Sequence, residues 1–152
     1  MGDNCPLCRA KTPTCAEDLI KQLRPWVKKK KAWAQTHMGG SYLRGEGVNQ
    51  SYEMARILFE LAAQQGDVSA LRDLGVMYAH GHGIEKSYEK AKEYYEQAAH
   101  LGNATAQFHL GLMYATEQGV VKDETKAHAL WTASAAQGNE TAIENLKILE
   151  KE

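Results

Sequence analysis

The 152-residue chain has only three cysteines, and none follows Cys15. An odd number confined to one end excludes a disulfide-stapled scaffold of the kind secreted mini-domains use. Proline occurs three times, so little interrupts regular helix. No apolar run approaches the roughly 20 residues of a membrane span. Residues 1–16 are polar and lack the apolar stretch of a secretion signal, which leads us to expect an intracellular, most simply cytoplasmic, protein. Neither charge predominates: 18 Lys and Arg face 19 Asp and Glu, for a net charge of −1. That balance gives no general attraction to nucleic acid or anionic membranes, and none is expected as a partner. Also missing are a nucleophile paired with a base, a phosphate-cradling glycine loop before a helix and a paired acid set. The chain is therefore not expected to be an enzyme or to carry a cofactor.

Glycine, by contrast, is abundant at 13 residues. It costs about 1 kcal/mol relative to alanine inside a helix, so each must sit somewhere useful. The positions explain themselves as a period. Gly39, Gly75 and Gly111 are 36 residues apart, as are Tyr42, Tyr78 and Tyr114. The same interval relates Gly47, Gly83 and Gly119, then Ala55, Ala91 and Ala127, then Gly66, Gly102 and Gly138. Ala34, Ala70, Ala106 and Ala142 extend the series without an insertion.

Each copy reads as helix A, a glycine-rich turn, helix B and a closing glycine. In the middle copy helix A spans about Ser69 to Ala79, with Ala70, Leu74, Met77 and Tyr78 at helical spacing. Gly81 and Gly83 supply the positive φ that ends it, and Ile84 is expected as a buried plug in the loop. Ser51, Ser87 and Asp123 are candidate N-caps of the three B helices. Phe59, Tyr94, Tyr95 and Trp131 fall on the inner face of those helices and read as core rather than as a cofactor box. One copy cannot bury its apolar face alone, so neighbours must stack.

The flanks repeat the pattern in degraded form. Shifting Ala55, Leu58, Phe59, Ala62 and Ala63 back by 36 gives Leu19, Gln22, Leu23, Trp26 and Val27, mostly apolar. This predicts a capping helix over Asp18 to Lys29, kinked or split by Pro25. Ala142, Leu146 and Leu149 predict a terminal helix over Glu140 to Leu149. The expected division is an irregular tail at 1–16, a capping helix within 17–31, repeats at 32–67, 68–103 and 104–139, and a C-terminal capping helix within 140–152.

The series AlaxxxLeuGlyxxTyrxxGlyxGlyVal followed by LysAlaxxxTyrxxAlaAlaxxGly resembles the Sel-one-like repeat, a relative of the tetratricopeptide repeat. Ala70, Leu74, Gly75, Tyr78, Gly81, Gly83, Ile84, Lys90, Ala91, Tyr95, Ala98, Ala99 and Gly102 carry it most fully. Met38, Glu117 and Ser134 depart from the pattern, and the Glu117 loop is expected to turn less tightly. The resemblance implies an all-α, right-handed superhelical solenoid of antiparallel helix pairs. It also implies that helix A lines a concave side where partner proteins bind. On that basis the expected function is a monomeric, non-catalytic scaffold for a protein or peptide. The candidate contact residues are the helix A positions His37, Arg44, Arg72, Asp73, Val76, Phe108, His109 and Leu112. Thr36, Gly40, Leu43, His80 and Thr116 fall in the same rows. Hydrolase activity claimed for cysteine-rich relatives is set aside, because those carry disulfide-linked repeats and these contain no cysteine.

Two segments stand outside the period. Cys5 and Cys8, in CPLCR, have the spacing of one edge of a tetrahedral zinc site. The string resembles the last ligand pair of a RING-type zinc finger, which needs eight ligands in all. Zinc would therefore require ligands beyond this pair; the alternatives are a vestigial segment or the tail of a longer RING-plus-repeat ubiquitin ligase, in which the repeats would recruit substrate. Lys28 to Lys31 is read as a solvated run suited to a helix C-terminus. His80 and His82 are read as solvent-exposed turn residues, because the same slots hold Arg44 and Glu46 or Thr116 and Gln118 in the other copies.

Overall fold

The computed structural model describes residues 12–149, with side chains from Ala16 onward. Cys5 and Cys8 lie outside the described residues. Among those described, the elements are eight α-helices and no strand: α1 (Thr12–Lys28), α2 (Ala32–Arg44), α3 (Tyr52–Ala63), α4 (Val68–His80), α5 (Tyr88–His100), α6 (Ala104–Thr116), α7 (Glu124–Ala136) and α8 (Glu140–Leu149). The fold is all-α, and α2, α4 and α6 are the A helices while α3, α5 and α7 are the B helices. The chain divides into two compact units, with the boundary after Ala70.

In the first unit α1 packs on α2 and α2 on α3. Its core joins Ile20 and Leu23 of α1, Ala34 and Met38 of α2 and Leu58 of α3, with Leu19, Val27, Tyr42 and Val48 against them. In the second unit α5, α6, α7 and α8 pack in chain order, the arrangement of a repeat solenoid. Leu74, Met77, Tyr95, Leu110, Met113 and Trp131 are buried there among the alanines Ala91, Ala98, Ala106, Ala127 and Ala142.

The helix pairs close on a glycine–aromatic contact. A methyl group on Gly39 would lie 2.7 Å from the Phe59 ring, on Gly75 2.6 Å from the Tyr95 ring, and on Gly111 2.6 Å from Trp131 Nε1. Each aromatic thus fills the space that its partner glycine vacates, and both members recur every 36 residues. Side-chain caps fix the helix starts. Ser51, Ser87 and Asp123 accept from the N–H of Met54, Lys90 and Lys126, as the spacing predicts. A second series, Asp67, Asn103 and Asn139, accepts from the N–H of Ala70, Ala106 and Ala142. The loops after the A helices close in one way: the carbonyls of Tyr42, Tyr78 and Tyr114 accept from the N–H of Ser51, Ser87 and Asp123.

Several local expectations are corrected. The irregular tail does not extend to residue 16: α1 begins at Thr12, because Pro13 falls in its first turn, where the missing N–H costs no bond. Pro25 does not split α1, which continues to Lys28; only three residues of the helix follow it, so little helix lies beyond the bond it removes. Glu117 does not loosen its loop. It adopts φ 58° and ψ 31°, close to the φ 70° and ψ 34° of Gly45, and its N–H reaches the carbonyl of Met113. Ile84 is half-buried rather than a sealed plug, and Tyr94 is half-buried, stacked on Tyr78 with centroids 5.6 Å apart. Ser134, at a position that is alanine in the other copies, is fully buried and donates its hydroxyl to the carbonyl of Ala104 at 2.7 Å.

Candidate functional site

The helix A positions divide between the two units. In the first, His37 is exposed and meets the edge of Trp33 at 6.3 Å. Arg44 is exposed at the end of α2, ion-paired with Glu46 at 2.9 Å. An exposed pair of this kind contributes little to stability and leaves both groups accessible.

In the second unit the structure gathers a denser group. Arg72 and Asp73, adjacent on α4, form an ion pair at 2.6 Å with both side chains partly sheltered. His109 of α6 lies flat on the ring of Tyr95 of α5, centroids 5.2 Å apart and planes 14° apart. Phe108 meets His109 edge-on at 5.3 Å and lies over Trp131 at 6.5 Å. Trp131 in turn donates Nε1–H to the carbonyl of Phe108 at 3.1 Å. Val76 and Leu112 are half-buried beside them in sequence register, one on each A helix.

The electrostatics confirm that these groups share one neighbourhood. Burial pushes the His109 imidazole below its ordinary value, and the nearby His80 and Arg72 push it further the same way. Burial drives the Tyr95 phenol well above its ordinary value, with Asp73 adding to the rise and Arg72 opposing it. At neutral pH the imidazole and phenol are therefore uncharged, and the Arg72–Asp73 pair supplies the fixed charge. A half-buried aromatic and aliphatic surface beside one ion pair can grip an apolar side chain and orient a polar backbone next to it. It has no nucleophile–base pair.

His80, at the end of α4, is exposed, and His82 is half-buried rather than solvent-exposed; their rings stack at 5.5 Å. Among the described residues no group of three or more His, Cys, Asp or Glu could hold a metal ion, and no helix is long and apolar enough to cross a membrane. The sequence reading missed Tyr95 as the platform under His109, and missed the meeting of Trp26 with Trp33 at 5.9 Å. A position-by-position comparison of the copies carries the second signal, since Trp33 stands where the other copies hold Ser69, Thr105 and Thr141.

The Sel1 repeat family matches this chain three times, over residues 34–67, 68–103 and 104–139. The chain belongs to the Sel1 repeat family. A Sel1 repeat protein from Oxalobacter formigenes is 32% identical, with a TM-score of 0.81 over 86% of this chain and 53% of its own. The protective antigen c5321 of uropathogenic Escherichia coli, which displays the same fold, is 33% identical, with a TM-score of 0.79 over 95% of this chain and 30% of its own. Cysteine rich protein B of Helicobacter pylori, 24% identical, shares the fold with a TM-score of 0.68 over 85% of this chain and 95% of its own. This chain thus spans about half the length of the first of these and under a third of the second. No curated protein matches it.

Proposed function

We propose that the chain is a non-catalytic scaffold that holds a protein or peptide segment against the A helices of its second unit. The single observation that supports this most is the state of Arg72, Asp73, Val76, Phe108, His109 and Leu112. All six are half-buried, neither sealed in the core nor free at the surface, and they combine apolar area with an ion pair. Surfaces of that kind gain from a partner that completes the burial. A photo-crosslinking side chain at Val76 or Leu112 tests the face. A partner captured from those positions, and not from the exposed B-helix position Glu96, supports the reading; equal capture from Glu96 refutes it.

A second reading makes the repeats the substrate-recruiting part of a RING-type ubiquitin ligase. It rests on Cys5 and Cys8 in CPLCR alone. Extending the coding sequence upstream tests it, and a preceding segment without six further Cys or His ligands rejects it.

A further inference from the structure

Trp26 and Trp33 are large aromatic side chains that the architecture does not require. Trp33 occupies a slot held by Ser69, Thr105 and Thr141 in the later copies, and Trp26 one held by Ala62, Ala98 and Ser134. Those last three are fully buried, whereas Trp26 is 42% exposed and Trp33 48%. The two rings meet at 5.9 Å with planes 48° apart, and Lys29 Nζ stands 5.0 Å from the centroid of Trp26. Adjacent tryptophans left this open to water are an unpartnered apolar patch.

The lysines beside them are kept against the local preference of the backbone. Lys30 takes φ 56° in the slot of Gly66, Gly102 and Gly138, whose φ values are 84°, 87° and 85°. A side chain there is strained, and the other copies use glycine. Lys31 takes the N-cap slot of Asp67, Asn103 and Asn139 and makes no side-chain cap bond, because an ammonium cannot accept one. Two successive positions therefore give up favourable residues and gain two charges. The result is a strong local field: residues 19–45 carry seven Lys and Arg and no Asp or Glu, in a chain of net charge −1. The dipole at the end of α1 favours positive charge there, but it does not call for a lysine in the left-handed slot or at the N-cap of α2, and rule-breaking of this sort marks a candidate functional site.

We propose that Trp26, Trp33 and Lys28 to Lys31 form a docking site for an acidic segment of another protein, one that carries an aromatic or aliphatic anchor among its carboxylates. The anchor packs on the tryptophan pair and the carboxylates meet the lysines. Charge complementarity selects this occupant. The chain's own first eleven residues carry Arg9 and Lys11 against Asp3, the wrong sign to cover the patch. Single-stranded nucleic acid fits less well, because stacking needs an open ring face and Lys29 already stands over Trp26.

The test uses the intact chain and a fluorescein-labelled twelve-residue peptide of Asp and Glu containing one Phe and one Leu, read by anisotropy. Saturable binding is expected, weakening about tenfold between 50 and 300 mM NaCl. Trp26→Ala with Trp33→Thr should weaken it about tenfold or more. Lys30→Gly with Lys31→Asn is the discriminating variant. It restores the residues of the other copies, so Tm should rise by about 3 °C while affinity falls severalfold. A purely structural role would not move the two in opposite directions. Binding unchanged in either variant overturns the proposal, as does equal binding of a peptide with Lys in place of Asp and Glu. Tighter binding of a twelve-nucleotide oligothymidine overturns it in favour of nucleic acid. A dimer in light scattering that Trp33→Thr abolishes overturns it in favour of a second copy of the chain.

Discussion

His109 rests face to face on Tyr95, 5.2 Å between centroids, in a half-buried setting that makes its imidazole one source of acid sensitivity in the second unit. The imidazole is held below its ordinary value of 6.5, first by burial and then by His80 and Arg72. The unfolded chain therefore takes up the proton before the folded one does. Stability from this group is fully present above about pH 6.5 and falls as pH drops toward the lowered folded value. His109→Gln should flatten that part of the pH dependence of Tm, measured between pH 7.5 and 5, without altering the loss of stability at still lower pH.

Neighbouring glycines in α2 should respond to the same substitution with opposite sign. Gly39→Ala drives a methyl group to 2.7 Å from the Phe59 ring, and overpacking of this kind should cost about 1–3 kcal/mol. Gly40→Ala meets only the Arg44 guanidinium at 3.3 Å, which is flexible and exposed. It should stabilise by up to about 1 kcal/mol through helix propensity. Urea unfolding of both variants decides the point.

Glu117 holds a left-handed conformation at the C-cap of α6 that glycine holds at Gly45 and Gly81. Replacing it by glycine removes strain of roughly 1–2 kcal/mol and returns about half of that as unfolded-chain entropy. Glu117→Gly should therefore raise stability by roughly 0.5–1 kcal/mol, and a fall in Tm would contradict this account of the loop.

Asn103 caps α6 through a 2.8 Å bond to the N–H of Ala106. Asn103→Ala should cost about 1 kcal/mol, and Asn103→Asp close to nothing. Denaturant midpoints of the pair separate capping from any other role of the side chain.

The sequence made the helices legible because each repeated residue has a reason that recurs. The glycine at 39, 75 and 111 and the aromatic at 59, 95 and 131 are both visible as periods, although only geometry shows that they touch. The caps at Ser51, Ser87 and Asp123 could be read from residue type before an apolar run. Those at Asp67, Asn103 and Asn139 are the same residue types, but each directly follows a glycine, where Asp and Asn serve equally as turn residues. Pro25 misled, because helix disruption depends on how many turns follow the proline, and barely one follows here. The candidate face was legible as a row of positions. Its electrostatics were not, since the effects of His80 and Arg72 on His109 depend on which A helix lies beside which.

The pairing of each glycine with its aromatic has a kinetic corollary. Gly39 and Phe59, Gly75 and Tyr95, and Gly111 and Trp131 are all separated by 20 residues, so every copy closes a loop of one modest length. The entropy of that closure is the same in each copy, and no early step waits on a distant segment. A nucleus can form in whichever copy first docks its ring, and growth then proceeds to either side. Lesions such as Gly75→Ala or Gly111→Ala should consequently redirect the folding route rather than block it.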